Sequence, residues 1–180
     1  LWDMTRVGAG LLVTGPCTDI NALSHKSITD VSQGGLHAMD FCGVGLTEDE
    51  FAKRMNGEKS PLSGFHTGNV LHVLYQLGYK VSQIKERNEA IFFKEPIYCK
   101  VLDRTLDPRT TVGTRVVSEI DTEEGITATL HTELRLLLPH EKEYVEWTVD
   151  GMPNCSIRVD RQNSVYHSAS TLFNRIPDVV

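Results

Sequence analysis

Apolar and polar residues alternate through much of the second half of this chain, and a period of two marks strands that bury one face. Val145, Trp147 and Val149 alternate with Glu146 and Thr148, Gly151-Met152-Pro153 turns the chain, and Cys155, Ile157 and Val159 alternate again. Upstream, residues 112–120 are rich in Val, Asp121-Thr122-Glu123-Glu124-Gly125 is a hairpin connection, and residues 126–138 form the longest predicted strand. In that strand Ile126, Ala128, Leu130, Leu134 and Leu136 face one way, and Thr127, Thr129, His131, Glu133 and Arg135 the other. One face is therefore buried, while the other meets water, substrate or a partner subunit.

Elsewhere the period lengthens to that of a helix. Residues 1–14 carry Trp2, Val7, Leu11 and Leu12 on one apolar face, weakened by Gly8 and Gly10 at roughly 1 kcal/mol each relative to Ala, and end at Gly15-Pro16. Ile20, Ala22 and Ser24 open a first strand that runs to Val31 and is closed by Gln33-Gly34-Gly35. Thr47 with Glu50 three residues on is a capping box, which predicts a short helix to Met55 with Gly57 beyond its end. Residues 56–68, rich in Gly, Ser and Pro, read as a loop over a pocket or a domain edge. Val70, Leu71, Val73, Leu74 and Leu77 then define a helix stopped by Gly78.

From Tyr79 the period returns towards two, through Val81 and Ile84, Ile91 to Phe93, and Ile97, Cys99 and Val101, before a polar loop over Thr105–Thr111. A last helix is predicted from Val165, Ala169, Leu172, Phe173 and Ile176, ended by Asn174-Arg175-Ile176-Pro177. The order of helix, strand, two helices, many strands and helix predicts an α+β fold, a mostly antiparallel sheet covered by helices on one face.

A chain of 180 residues, 40% apolar and 23% charged, supports one buried core, so a single domain is expected over residues 1–180. No apolar run approaches the roughly 18 residues of a membrane span, which argues against a membrane role. Eighteen Lys and Arg against 24 Asp and Glu give a formal charge of -6, with the cations scattered singly, a balance that repels nucleic acid. Cys17, Cys42, Cys99 and Cys155 are widely spaced, without a Cys-x-x-Cys pair, and suit reduced, buried thiols in a cytoplasmic protein. The opening Leu1-Trp2-Asp3-Met4 carries neither an initiating Met nor a secretory signal, and an upstream part is expected to be missing.

Two glycine pairs invite a nucleotide-binding reading. Gly8-Ala9-Gly10 runs into Leu11-Leu12-Val13 without a third glycine or a preceding strand, and Gly43-Val44-Gly45 leads to a helix start bearing Glu48, Asp49 and Glu50, which repels phosphate. Both read as loop and packing glycines. Of the seven histidines, His72 and His167 lie on predicted helices without a ligand residue at i+4, and His131 shares a strand face with Glu133 and Arg135. His25-Lys26, followed by Asp30 and Ser32, places a cationic pair and a carboxylate on one short element. These residues either line a substrate pocket or lie at solvent or an interface. Gly64-Phe65-His66-Thr67-Gly68-Asn69 enters the helix that ends at Gly78, where free N–H groups suit a substrate carboxylate or carbonyl oxygen, with plain N-capping by Thr67 or Asn69 as the other reading.

Several pieces of the chain resemble one enzyme family. They are Gly43-Val44-Gly45-Leu46-Thr47-Glu48-Asp49-Glu50-Phe51, Leu77-Gly78-Tyr79, Trp147-Thr148-Val149-Asp150-Gly151-Met152-Pro153 and Asn174-Arg175-Ile176-Pro177. In order and spacing they are similar to the C-terminal domain of 2,4-diaminopentanoate dehydrogenase and other dihydrodipicolinate reductase-like enzymes. Dihydrodipicolinate reductases carry a His-His element with a downstream Lys where this chain has His25-Lys26, and the Pro-Ser-Gly-Thr stretch that follows it is missing here. Gly68-Asn69 stands where relatives commonly have Glu-Ser.

The resemblance implies an upstream Rossmann domain that binds NAD or NADP, and hydride transfer between the nicotinamide and a carbon bonded to nitrogen. It also implies a small amine, imine or amino-acid-like substrate, and a homodimer or higher homo-oligomer formed through the sheet. On this reading His25, Lys26, Asp30, Ser32, His66, Thr67 and Asn69 bind substrate, Asn174 lies near the cofactor, and the catalytic acid belongs to the other domain. The competing reading is a stand-alone ligand-binding or assembly module without catalysis.

Overall fold

The computed structural model describes residues 19–55 and 60–163, together with Tyr166 and Ala169. The helix predicted over 1–14, Cys17, Gly57, His167, and the final helix with Asn174 and its Asn-Arg-Ile-Pro ending lie outside the described residues. The described chain runs β1 (Ala22–Asp30), a 3-10 turn (Val31–Gly34), α1 (Gly35–Phe41), α2 (Glu48–Met55), α3 (Thr67–Gln76), β2 (Val81–Ile91), β3 (Ile97–Cys99), β4 (Arg104–Leu106), β5 (Gly113–Thr122), β6 (Thr127–Arg135), β7 (Glu143–Asp150) and β8 (Cys155–Arg161).

The fold is α+β, as the element order predicts. Six strands form one sheet in the order β2-β5-β6-β1-β7-β8, and β3 pairs with β4 in a separate ribbon. Every neighbouring pair in the large sheet is antiparallel except β1 with β6. β1 therefore joins the β5–β6 hairpin to the β7–β8 hairpin, and residues distant in sequence meet in its neighbourhood.

Strand alternation gives the sheet two different faces. On one, Leu23, Val116, Ile120, Ala128, Leu130, Leu134, Val145, Trp147 and Val149 are buried, and with Phe51, Met55, Val70, Val73 and Leu74 from the helices they form the core. α2 packs on β2, and α3 packs on β2 and β6, so helices cover that face. Burial of these side chains supplies the main stabilisation, about 1.5 to 3 kcal/mol for each fully buried large residue. The opposite face carries Lys26, His131, Glu119 and Arg158 exposed to solvent.

Local signals set several elements. The Thr47 N–H and hydroxyl both donate to Glu50 Oε2 at 2.8 Å, which completes the capping box at the start of α2. α3 ends at Gly78, whose φ of +83° is the left-handed conformation that glycine adopts without a steric penalty. Gly43 and Gly45 also have positive φ, and a Cβ on Gly45 would collide with the Arg104 guanidinium. They are packing glycines, in accord with the sequence reading.

Four expectations need correction. The longest described strand is β2, not the segment at 126–138, because pairing with β5 ends at Gly113 opposite Arg135, and Leu138 then turns back to Glu141. A helix follows directly on Gly34-Gly35, where the sequence indicated only a strand end, and of α1 only Met39 is buried, so its apolar stripe is too thin to read. Arg104–Leu106 is a strand, not loop, since Tyr98 and Thr105 pair across the ribbon. Arg135 is buried because Glu141 takes both ends of its guanidinium at 2.7 Å, although its strand face is otherwise wet.

Candidate functional site

One row of residues crosses the covered face from edge to edge. Glu86, Ser118, Leu130, His25, Trp147 and Ile157 are successive cross-strand partners on β2, β5, β6, β1, β7 and β8. The start of α3 lies on this row: the Thr67 hydroxyl bonds Ser118 Oγ at 2.6 Å and donates to the Glu86 carboxylate. Glu86 also accepts from the Gly64 N–H at 2.9 Å, so it clamps the loop on both sides of Phe65-His66. A carboxylate beside the positive end of a helix is favourable, and here the protein supplies it from β2.

The centre of the row is short of hydrogen-bond partners. His25 is 0% exposed and Trp147 1% exposed, with their rings edge-on at 4.7 Å between centroids. His66, which caps the start of α3 and lies near enough to His25 to influence its charge, is also buried, as is Asn69 in the first turn of that helix, whose N–H donates to the His66 carbonyl at 3.0 Å. Among the described residues, His25 Nδ1 and Nε2, His66 Nδ1, Asn69 Nδ2 and Oδ1, and Trp147 Nε1 are buried without any hydrogen-bond partner. A buried polar group left unsatisfied costs about 1 to 3 kcal/mol, and native proteins seldom carry several together. A ligand or an ordered water that completed these bonds would recover that cost.

These groups are neutral near pH 7. Burial pulls the His25 imidazolium down to about 3, with smaller contributions from the nearby His66 and Arg161, and burial pulls His66 down to about 4. Each neutral imidazole offers one donor and one acceptor, the Asn69 amide offers both, and the Trp147 indole is a donor. The cluster can therefore grip a polar group from several sides without fixed charge of its own. Beside it, Ser27 Oγ donates to Thr132 Oγ1 at 3.0 Å and needs nothing further to satisfy that proton.

The structure brings together some of the residues singled out in sequence and separates others. His25 and His66 are brought near each other, Asn69 follows in the first turn of α3, and Thr67 ties that helix to β2 and β5. Lys26 points to the opposite face, because successive strand residues alternate. There it helps line a shallow depression of about 230 Å³ with Ile28, Arg115, His131, Glu133 and Tyr144. Asp30 accepts from the Ser32 N–H at 3.0 Å, so the pair forms the turn that starts the 3-10 segment. Trp147, Glu86 and Ser118 went unremarked as site residues in the sequence, since only strand pairing places them on one row.

Among the described residues no cluster of His, Cys, Asp and Glu could hold a metal ion. The glycine turn at Gly43–Gly45 is filled by Phe51 and Arg104. Cys42 and Cys99 are free thiols, and burial pushes the Cys42 thiol up to about 12, which leaves it unreactive. No described helix is long and apolar enough to cross a membrane.

The amine dehydrogenase from Mycobacterium smegmatis superposes at a TM-score of 0.86 and 25% identity, over 98% of this chain and 52% of that one. A dehydrogenase from Clostridium difficile gives a TM-score of 0.42 at 6% identity, over 89% of this chain and 43% of its own. An oxidoreductase domain protein from Kribbella flavida gives 0.40 at 13% identity, over 87% of this chain and 38% of its own. No curated protein matches the chain. The chain spans about half the length of the amine dehydrogenase it superposes on. A match to 2,4-diaminopentanoate dehydrogenase C-terminal domains extends over residues 10–180, and the family suggested by the sequence pieces is therefore the one to which this chain belongs.

Proposed function

We propose that this chain is the substrate-binding and dimerisation domain of an NAD(P)-dependent oxidoreductase acting on a carbon–nitrogen bond, an amine dehydrogenase or imine reductase. It forms one domain over residues 1–180, and a dinucleotide-binding domain precedes it in the intact enzyme. The single observation that carries the reading is the set of unpartnered buried atoms on His25, His66, Asn69 and Trp147. It is supported by family membership and by the amine dehydrogenase, of which this chain matches half.

In this reading the cofactor supplies the hydride chemistry from the other domain, and the present residues orient the substrate and keep water out. His25, His66, Asn69 and Trp147 hold its polar group, while Thr67 fixes the helix start that presents two of them. Asp30 and Ser32 shape the turn after β1. Lys26 serves the subunit interface on the open sheet face, and Asn174 approaches the cofactor from the final segment.

Steady-state kinetics of the intact enzyme test the assignment. His25→Phe and Asn69→Leu are expected to lower kcat/KM for the amine by about a hundredfold or more, as the loss of two buried hydrogen bonds implies, with dinucleotide affinity unchanged. Unchanged kcat/KM in both variants, or a loss confined to dinucleotide affinity, overturns the reading.

A further inference from the structure

The residues outside the buried cluster differ from it in kind. Phe65 immediately precedes His66 and is 48% exposed, and its ring stands edge-on to the His66 ring at 4.9 Å. Phe41 of α1 meets Phe65 edge-on at 6.2 Å. Consecutive residues of one short loop thus hold an exposed aromatic ring outside and a buried imidazole inside. Glu86 fixes that arrangement through Gly64 on one side and Thr67 on the other. An exposed Phe is ordinary by itself, but this one contacts a second aromatic ring and stands edge-on to a buried histidine with an unsatisfied nitrogen, at the outer rim of the polar residues.

We infer that Phe65, backed by Phe41, determines substrate specificity by seating an apolar substituent of the amine whose polar group bonds to the buried cluster. This rests on the substrate-pocket reading above and names the chemistry of the molecule that fits it: a primary amine, or the matching imine or ketone, with an alkyl or arylalkyl chain. The polar end meets neutral donors and acceptors, and the chain lies on the ring faces of Phe65 and Phe41. Each methylene brought onto those rings is expected to raise kcat/KM by roughly fourfold until the surface is covered.

The test uses the intact enzyme with its dinucleotide and a series of primary alkylamines from 2-aminopropane to 2-aminoheptane, together with an arylalkylamine. Wild-type kcat/KM should rise along the series. Phe65→Ala should lower it at least tenfold for the longest amines and by less than threefold for 2-aminopropane, and Phe65→Leu should restore most of the loss for the alkyl chains. Phe65 is half exposed, so folding is spared, and an unchanged melting temperature verifies this. A uniform fall across the series, or no fall at all, overturns the specificity role. His25→Phe separates the two ideas: if it leaves all the amines unaffected, the pocket reading fails, whereas loss for all the amines with a flat Phe65→Ala profile defeats only the inference about Phe65. If no amine is turned over or raises the melting temperature of the wild-type protein, both fall.

Discussion

Two neighbouring rows of the sheet, one residue apart, are built on opposite chemistry. On the covered face Glu86, Ser118, Leu130, His25, Trp147 and Ile157 run across the strands, and on the open face the partners are Arg87, Val117, His131, Lys26, Glu146 and Arg158. The open face neutralises most of its charges internally. Arg87 pairs with Glu89 and Glu119, Arg115 with Glu133 and Glu89, and Arg158 with Asp160 while lying 3.8 Å over the Tyr144 ring. The covered face bonds Ser27 to Thr132 and Thr67 to Ser118, yet it keeps the neutral polar atoms of His25 and Trp147 buried and unbonded. Exposed ion pairs contribute little because water screens them, whereas each unsatisfied atom inside is costly. The costly face is the one that a ligand can improve.

Acid should separate the faces most strongly. The unfolded chain binds protons at His25 and His66 near pH 6.5, while the folded protein resists them down to about 3 and 4. The folded-state values are lowered, so this contribution is complete above the unfolded value and is lost as pH falls from about 6.5 towards 4, at about 1.4 kcal/mol per pH unit for each histidine. Urea midpoints measured between pH 7 and 4 should fall accordingly, and His25→Phe should flatten the slope. An unchanged slope in that variant would remove His25 from the account.

Trp147→Ala comes next, with an expected loss of about 3 to 5 kcal/mol on urea unfolding, since it empties the largest fully buried side-chain volume of the covered face. On the open face, Glu133→Gln interrupts the chain of ion pairs from Arg115 through Glu133 to the buried Arg135, which Glu141 still holds. A loss of roughly 1 to 3 kcal/mol is expected there, and a smaller loss would show that Glu141 alone suffices.

His25→Phe at pH 7 sharpens the contrast further. The ring still fits edge-on to Trp147, two unsatisfied nitrogens disappear, and stability should hold or rise by about 1 kcal/mol even as substrate affinity is lost. A marked loss of stability would mean that the imidazole has a structural duty. The smallest effect is expected from Lys26→Ala, within about 0.5 kcal/mol for the unassembled protein, because the side chain is exposed. A change in its sedimentation behaviour would place Lys26 in a subunit contact.

Much of this contrast was legible in the sequence where the cause is local. The capping box of Thr47 and Glu50, the α3 periodicity ending at Gly78, and the alternation of β7 and β8 each depend on residues within a few positions of one another. α1 was not legible, since a seven-residue helix with Met39 as its buried residue has almost no pattern. β4 escaped for another reason: three residues become a strand only because Ile97–Cys99 lies alongside. His25 and His66 stood out as candidates by type, but their meeting under α3 required the packing of that helix on the sheet.

The sequence by itself determined the alternation, the caps and the family resemblance, because these follow from residue types at short, fixed spacings. Only the tertiary structure decided that His25 belongs with Trp147 and His66 while Lys26 belongs with His131 and Glu146. Strand pairing is a long-range choice made by burying the largest apolar area at once, and no single segment carries that information. Whether a buried nitrogen finds a partner is settled by the same collective packing, so the atoms left wanting one became visible only when all six strands were in place.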